Sequence, residues 1–187
     1  MPMRRRAFAR AGQSLRFATT DRVHSMFPDD IRQSATDILA RYRRAGLKIA
    51  TAESCTGGLV AAALTTIAGS SDVVERGFVT YTNDAKEQVL GVPRVALLSY
   101  GAVSEPVARA MAEGALRQSS ADVAVSVTGI AGPGGATADK PVGLVHFGLA
   151  RRDRLTVTER HVFAGDRDAV RGAALDVALA MLRRSAD

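Results

Sequence analysis

Apolar residues recur along this chain with two periods, and the alternation between them sketches the fold. Ile31, Ala35, Ile38, Leu39 and Tyr42 fall on one helical face, with Asp29 or Asp30 placed to cap its start and Gly46 to end it. A short strand follows at 48–51. The apolar segment 59–68 reads as a helix, broken by Gly69-Ser70-Ser71. Residues 76–81 make a strand rich in β-formers, and Asn83 caps a short helix over 84–90 that Gly91 closes. Ser104-Glu105-Pro106 starts a helix whose stripe of Val107, Met111 and Ala115 runs to Gln118. Residues 123–127 are almost wholly apolar, as a strand buried on both faces should be. A glycine-rich loop over 128–135 follows. Strands over 142–150 and 155–163, joined by Arg151-Arg152-Asp153-Arg154, make a hairpin. The last helix begins near Asp166, with Val170, Ala173, Ala174, Val177, Ala178 and Met181 on its inner face.

Strands alternating with helices, then a hairpin, then a helix, predict a three-layer α/β/α sandwich. Its mixed sheet should be mostly parallel with one antiparallel strand. Ligands of such sheets bind at the carboxyl ends of the strands. That rule gathers Ser54, Tyr81, Asn83 and the loop 128–135 onto one rim.

The stretch Ala52-Glu53-Ser54-Cys55-Thr56-Gly57-Gly58 is a strand-to-helix turn with a small hydroxyl residue and two glycines. The helix start offers unpaired N–H groups and the positive end of a dipole, and the glycines permit close approach to the backbone. Such a turn can cradle a phosphate, present a nucleophile beside an oxyanion hole, or simply join a strand to a helix. A serine nucleophile needs a base, and no histidine lies near a rim motif. Lys86 can serve if it is neutral, which burial and the start of a helix both favour; otherwise it is an ordinary solvated lysine. Tyr81 is either a donor beside Lys86 or a half-buried strand tyrosine. Cys55 is a rival nucleophile in a grouping with Glu53 and Lys86. His146 and His161 lie symmetrically about the hairpin turn and could face each other. No carboxylate or thiol joins them at ligand spacing, so no metal site is expected.

Charge changes the picture at one end only. The 187 residues carry a net charge of +6, and six arginines against Asp21 alone give residues 1–25 a balance of +5, which leaves +1 for the rest. A nearly neutral body argues against a nucleic-acid partner. Residues 1–25 are expected to be a disordered extension, or one that is not translated, since Met26 would make a clean start. Residues 26–187 are expected to form a single domain. No apolar run is long enough to span a bilayer, and the single cysteine points to a reducing, cytoplasmic setting.

Five stretches together resemble the C-terminal domain family of the competence/damage-inducible protein CinA. They are Thr51-Ala-Glu-Ser-Cys-Thr-Gly-Gly58, Arg76-Gly-Phe-Val-Thr-Tyr-Thr-Asn-Asp-Ala-Lys86 with Leu90-Gly-Val92, and Gly101-Ala-Val-Ser-Glu-Pro106. Ser126-Val-Thr-Gly-Ile-Ala-Gly-Pro133 with Lys140-Pro-Val-Gly143, and Phe163-Ala-Gly-Asp-Arg-Asp-Ala-Val-Arg171, complete the set. The resemblance implies a fold like that of anticodon-binding domains. The activity it implies is that of a stand-alone nicotinamide-nucleotide amidohydrolase in pyridine-nucleotide salvage, which turns nicotinamide mononucleotide and water into nicotinate mononucleotide and ammonia. It implies Ser54 as nucleophile, Lys86 as base and Tyr81 as third member, with no metal or organic cofactor. Thr56, Gly57 and Gly58 would offer backbone donors to an oxyanion or phosphate. Asn83, Thr128, Gly129, Gly132, Arg167 and Arg171 would contact the nucleotide. The expected partners are a small nucleotide substrate and other copies of the chain, without nucleic acid or membrane. An alternative of a different class is a nucleotide-binding accessory in competence or the DNA damage response, without turnover.

Overall fold

A computed structural model describes residues 26–186; the expected extension over 1–25 lies outside the described residues. Five strands form one sheet in the order β2 (Val74–Val79), β1 (Ile49–Glu53), β3 (Val123–Gly129), β4 (Leu144–Arg151), β5 (Arg154–Val162). β1 runs parallel to β2 and β3, whereas β4 runs antiparallel to β3 and β5. One strand thus opposes the other four. Helices α1 (Asp29–Ala45), α2 (Leu59–Thr65) and α6 (Arg167–Ser185) cover one face. Helices α3 (Asn83–Leu90), α4 (Arg94–Tyr100) and α5 (Glu105–Arg117) cover the other.

The period-2 alternation of the strands sorts side chains by size between the two faces. Ile49, Val123, Val125, Val127, Val145 and Phe147 pack under α1, α2 and α6. The opposite face presents Ala50, Ala52, Ala124 and Ala150 to α5. Small residues let α5 lie close to the sheet. Ser126 Oγ donates to the Ala108 carbonyl at 2.6 Å, and a Cβ added to Gly148 would stand 2.6 Å from the same oxygen. Across the other layer Tyr42 Oη donates to the Leu182 carbonyl at 3.1 Å and tethers α1 to α6.

Several boundaries differ from those the sequence predicts. Asp29 and Asp30 stand in the first turn of α1 and Pro28 takes the cap position. Thr82, not Asn83, caps α3, its hydroxyl accepting from the Ala85 amide at 3.1 Å. β1 runs two residues further than the expected strand, because Ala52 and Glu53 still pair with Ser126 and Val127. β2 starts and ends two residues earlier than expected, which leaves Thr80 and Tyr81 beyond the strand. Thr128 and Gly129, expected in the glycine-rich loop, close β3. α4 has no counterpart in the apolar pattern: it buries only Leu97, so it lacks a stripe to reveal it.

α3 is seated against α5 at Gly114, where any Cβ would collide with the Leu90 carbonyl oxygen. Alanine at a helix interior normally gains up to about 1 kcal/mol over glycine. Here the clash is with backbone, which cannot step aside, and overpacking of that kind costs about 1–3 kcal/mol. Gly114→Ala should therefore lower stability in denaturant unfolding, against its helix propensity.

Candidate active site

The rim is built from three chain ends that hydrogen-bond to one another. β1 stops at Glu53, and the Ser54 amide donates to the Val127 carbonyl at 2.9 Å, which carries the ladder one residue into the turn. The Gly57 amide closes that turn on the Ser54 carbonyl at 3.0 Å. Gly57 and Gly58 have φ of 61° and 99°, the left-handed region that favours glycine. Beyond β2, the Thr80 amide donates to the Glu53 carbonyl at 2.8 Å. Chain reversal at Thr82 then starts α3 and buries Lys86, which is 1% exposed. Lys86 Nζ donates to Ser54 Oγ at 2.9 Å and to the Thr80 carbonyl at 2.7 Å.

Burial pushes the Lys86 amine down to about 8, the nearby Cys55 acting weakly the other way. A fraction of it is neutral near physiological pH and able to take a proton. Burial pushes the Cys55 thiol up to about 11, so it stays protonated. Cys55 belongs to the apolar core. Lys86 is hydrogen-bonded to the hydroxyl of Ser54, so the geometry favours serine over its neighbour. Glu53 does not join a Cys-Glu-Lys grouping. Its carboxylate accepts from the amides of Gly58, Val60 and Ala61 and from the Thr51 hydroxyl.

Ser54 and Lys86 line a cleft of ≈ 240 Å³ together with Tyr81, Thr128, Gly129, Gly132 and Arg167. Tyr81 is 56% exposed at its mouth. Its hydroxyl accepts from Arg167 Nη2 at 2.8 Å, and Arg167 Nη1 donates to the Gly132 carbonyl at 2.9 Å. Thr128 Oγ1 donates to the Ala102 carbonyl at 2.9 Å. Ala102, Val103, Ile130 and Ala131 supply the apolar wall. Among the described residues no group of three or more His, Cys, Asp and Glu is placed to hold a metal, and no helix is long and apolar enough to cross a membrane.

Other expected contacts are not brought to this cleft. The amides of Gly57 and Gly58 are engaged with the Ser54 carbonyl and the Glu53 carboxylate, so they are not free donors for an oxyanion or phosphate. Thr56 is buried, and its carbonyl accepts from Arg171 Nη2 at 3.1 Å. Arg171 lines a separate cleft of ≈ 390 Å³ beside α1, α2 and α6, away from Ser54. Asn83 is exposed and is not among the lining residues. His146 and His161 do not face each other. His146 is opposite Arg160 and His161 opposite Val145, so their side chains leave the sheet on opposite faces. The carbonyl of Thr80, which holds Lys86, is a backbone group and carries no signal in the sequence.

The arrangement has counterparts among known proteins. A family model described as the CinA C-terminal domain matches residues 31–186. A nicotinamide-nucleotide amidohydrolase, PncC, of Escherichia coli K12 is 49% identical over 84% of this chain and 95% of its own length. A CinA-like protein of Anaeromyxobacter dehalogenans is 48% identical over 87% of this chain, which spans only 41% of that relative's length. The solved structure of the competence/damage inducible protein CihA from Agrobacterium tumefaciens is 52% identical. It superposes with a TM-score of 0.83 over 85% of this chain and 97% of its own.

A neutral amine beside a hydroxyl makes a pH-dependent nucleophile. Below the amine's titration point near 8 the ammonium form dominates and cannot accept the Ser54 proton. Labelling of Ser54 by a fluorophosphonate, followed by mass spectrometry, should therefore speed up about tenfold per pH unit on the acid side and level off above about 8.

Proposed function

This chain belongs to the CinA C-terminal domain family, and on that premise we propose that it hydrolyses the carboxamide of nicotinamide mononucleotide to nicotinate mononucleotide and ammonia. The observation that carries this reading is the 2.9 Å hydrogen bond between Lys86 Nζ and Ser54 Oγ at the floor of an open cleft. The printed name of the Escherichia coli relative supports the substrate.

Neutral Lys86 takes the Ser54 proton as Oγ attacks the carboxamide carbon. Among the described residues the turn's remaining amides, those of Cys55 and Thr56, have no backbone acceptor and lie against the Cys55 sulfur, a weak acceptor; that of Cys55, which lines the cleft, is the candidate donor for the oxyanion. Collapse of the tetrahedral adduct breaks the C–N bond, with the proton on Lys86 passing to the departing nitrogen to release ammonia. A water then gives its proton to Lys86 and attacks the acyl-serine. Breaking the ester returns that proton to Ser54 Oγ and frees the acid. The Tyr81 oxygen accepts from Arg167, which leaves its own proton available to the substrate and supports a third place in the machinery.

The other end of the substrate falls to the cleft mouth. Among the described residues Arg167 makes no ion pair, and the amides of Ala131, Gly132, Gly134 and Gly135 have no backbone acceptor. An unpaired guanidinium beside free amides suits a phosphate. Gly129 and Thr128 then flank the nucleoside. The scheme calls for no metal, organic cofactor or nucleic acid, and it belongs to a cytoplasmic salvage step. Val95 and Leu98, exposed on α4, support association with further copies of the chain.

Incubation with nicotinamide mononucleotide and measurement of ammonia tests the reading. Ser54→Ala and Lys86→Met should each reduce turnover at least about a thousandfold, and the double variant should be little worse than either, as members of one unit fail together. Cys55→Ala should keep most of the activity. Nucleotide binding without ammonia would instead favour an accessory protein without turnover, and a dead Cys55→Ala beside an active Ser54→Ala would move the nucleophile to the thiol. Dialysis against a strong chelator should leave the rate unchanged; loss of activity restored by zinc or manganese would overturn the serine–lysine scheme.

A further inference from the structure

Glu53 is wholly buried, and it is the residue immediately before the proposed nucleophile. It ends β1 on the face turned toward α2, in line with Ile49 and Thr51. Its four hydrogen bonds divide evenly between its two oxygens. Oε2 accepts from the Gly58 amide at 3.0 Å and the Val60 amide at 3.1 Å. Oε1 accepts from the Ala61 amide at 2.9 Å and the Thr51 hydroxyl at 3.3 Å. The cap position of α2 is Gly58, which has no side chain to do this work. The carboxylate therefore meets the orphan donors of α2 from five residues upstream.

The chain between the carboxylate and those amides is the turn 54–58. Its start is pinned to β3 by the Ser54 amide, its middle is tied by Gly57 to the Ser54 carbonyl, and its end is pulled back onto Glu53. The backbone carbonyl of the same residue receives the Thr80 amide, and the Thr80 carbonyl holds Lys86 Nζ. Both members of the Ser54–Lys86 pair are thus referred to one residue, the serine through its side chain and the lysine through its backbone.

We infer that Glu53 is a positioning residue whose buried carboxylate closes the Ser54 turn onto α2 and so holds Ser54 Oγ within reach of Lys86. This role rests on the reading of Ser54 and Lys86 as nucleophile and base, but not on the identity of the substrate. The carboxylate touches no reacting atom. It acts by removing alternatives, since a turn rich in glycine has many conformations and only a few put the hydroxyl against the amine.

Glutamine tests the inference because it keeps the shape and changes the donor count. Each carboxylate oxygen accepts a backbone N–H, so either orientation of the amide sets its NH₂ group against a donor. The full chain and its Glu53→Gln variant are compared in two assays: turnover of nicotinamide mononucleotide, and fluorophosphonate labelling of Ser54 read by mass spectrometry. Per folded molecule, kcat and the labelling rate should both fall at least about tenfold, while KM stays within about threefold and the acid limb of the labelling profile stays in place. A labelling rate and kcat within twofold of the parent would overturn the inference and leave Glu53 as a helix cap only. A moved acid limb would also overturn it, because the carboxylate would then act on Lys86 rather than on the turn. Parent protein that labels at Ser54 but releases no ammonia would sink the substrate reading alone, and the labelling comparison would still decide the role of Glu53. Parent protein that does neither overturns both. Should Glu53→Gln not fold, Glu53→Asp, which keeps the charge and withdraws it by one methylene, is read by the same two assays with a loss in the same sense.

Discussion

A lysine amine held out of water with only neutral partners is the constraint on which this site depends. Lys86 meets a hydroxyl and a carbonyl, and neither offers the counter-charge an ammonium needs when it leaves solvent. The neutral form gains by comparison, which is what the proposed role of Lys86 as a base near physiological pH requires. Holding it there demands tight support. α3 must sit close to α5, and the glycine at position 114 makes that approach possible. α5 in turn must lie low on the sheet, which the alanines, Ser126 and Gly148 of that face allow. The unequal division of side-chain size between the two faces thus reaches through two layers to one amine.

The buried carboxylate of Glu53 is treated in the opposite way. It is given three amides and a hydroxyl, the donors that the start of α2 leaves unpaired. That choice has a consequence for the substrate. A strand-to-helix turn with two glycines is a natural anion cradle, but here the helix start is already occupied by the protein's own acid. Among the described residues the loop after β3 keeps amides without a backbone acceptor, and Arg167 of the last helix bonds to that loop, so the proposed anion contacts lie across the cleft. The proposed nucleophile and the proposed phosphate contacts therefore belong to different elements of the rim.

Much of the fold was legible in the chain. The helical stripe of α1, the largely apolar β3, the hairpin of β4 and β5, and the inner face of α6 all announce themselves, because burial imposes a period that residues cannot hide. The elements that were misjudged are those with little burial or with a shared cap. α4 fully buries only Leu97, and Thr82 and Asn83 are both competent caps, so only the observed hydrogen bond from Ala85 decides between them. The facing of His146 and His161 turned on register, which one residue of slip would reverse.

For the site, local pattern singled out the candidates: Ser54 on a glycine turn, Lys86 near a helix start, Tyr81 near a strand end, Arg167 at the last helix. Local pattern is enough for that, since each is read from its immediate neighbours. Which of them meet is fixed by contacts between distant parts of the chain. The tertiary structure joined Ser54 to Lys86 across a separation of 32 positions, sent Arg171 to the far side of the turn, and spent the amides of Gly57 and Gly58 inside the protein. The physical reason is that a hydrogen bond is satisfied once. Whether a donor is left for substrate depends on what else has folded beside it, and that partner can lie anywhere in the chain.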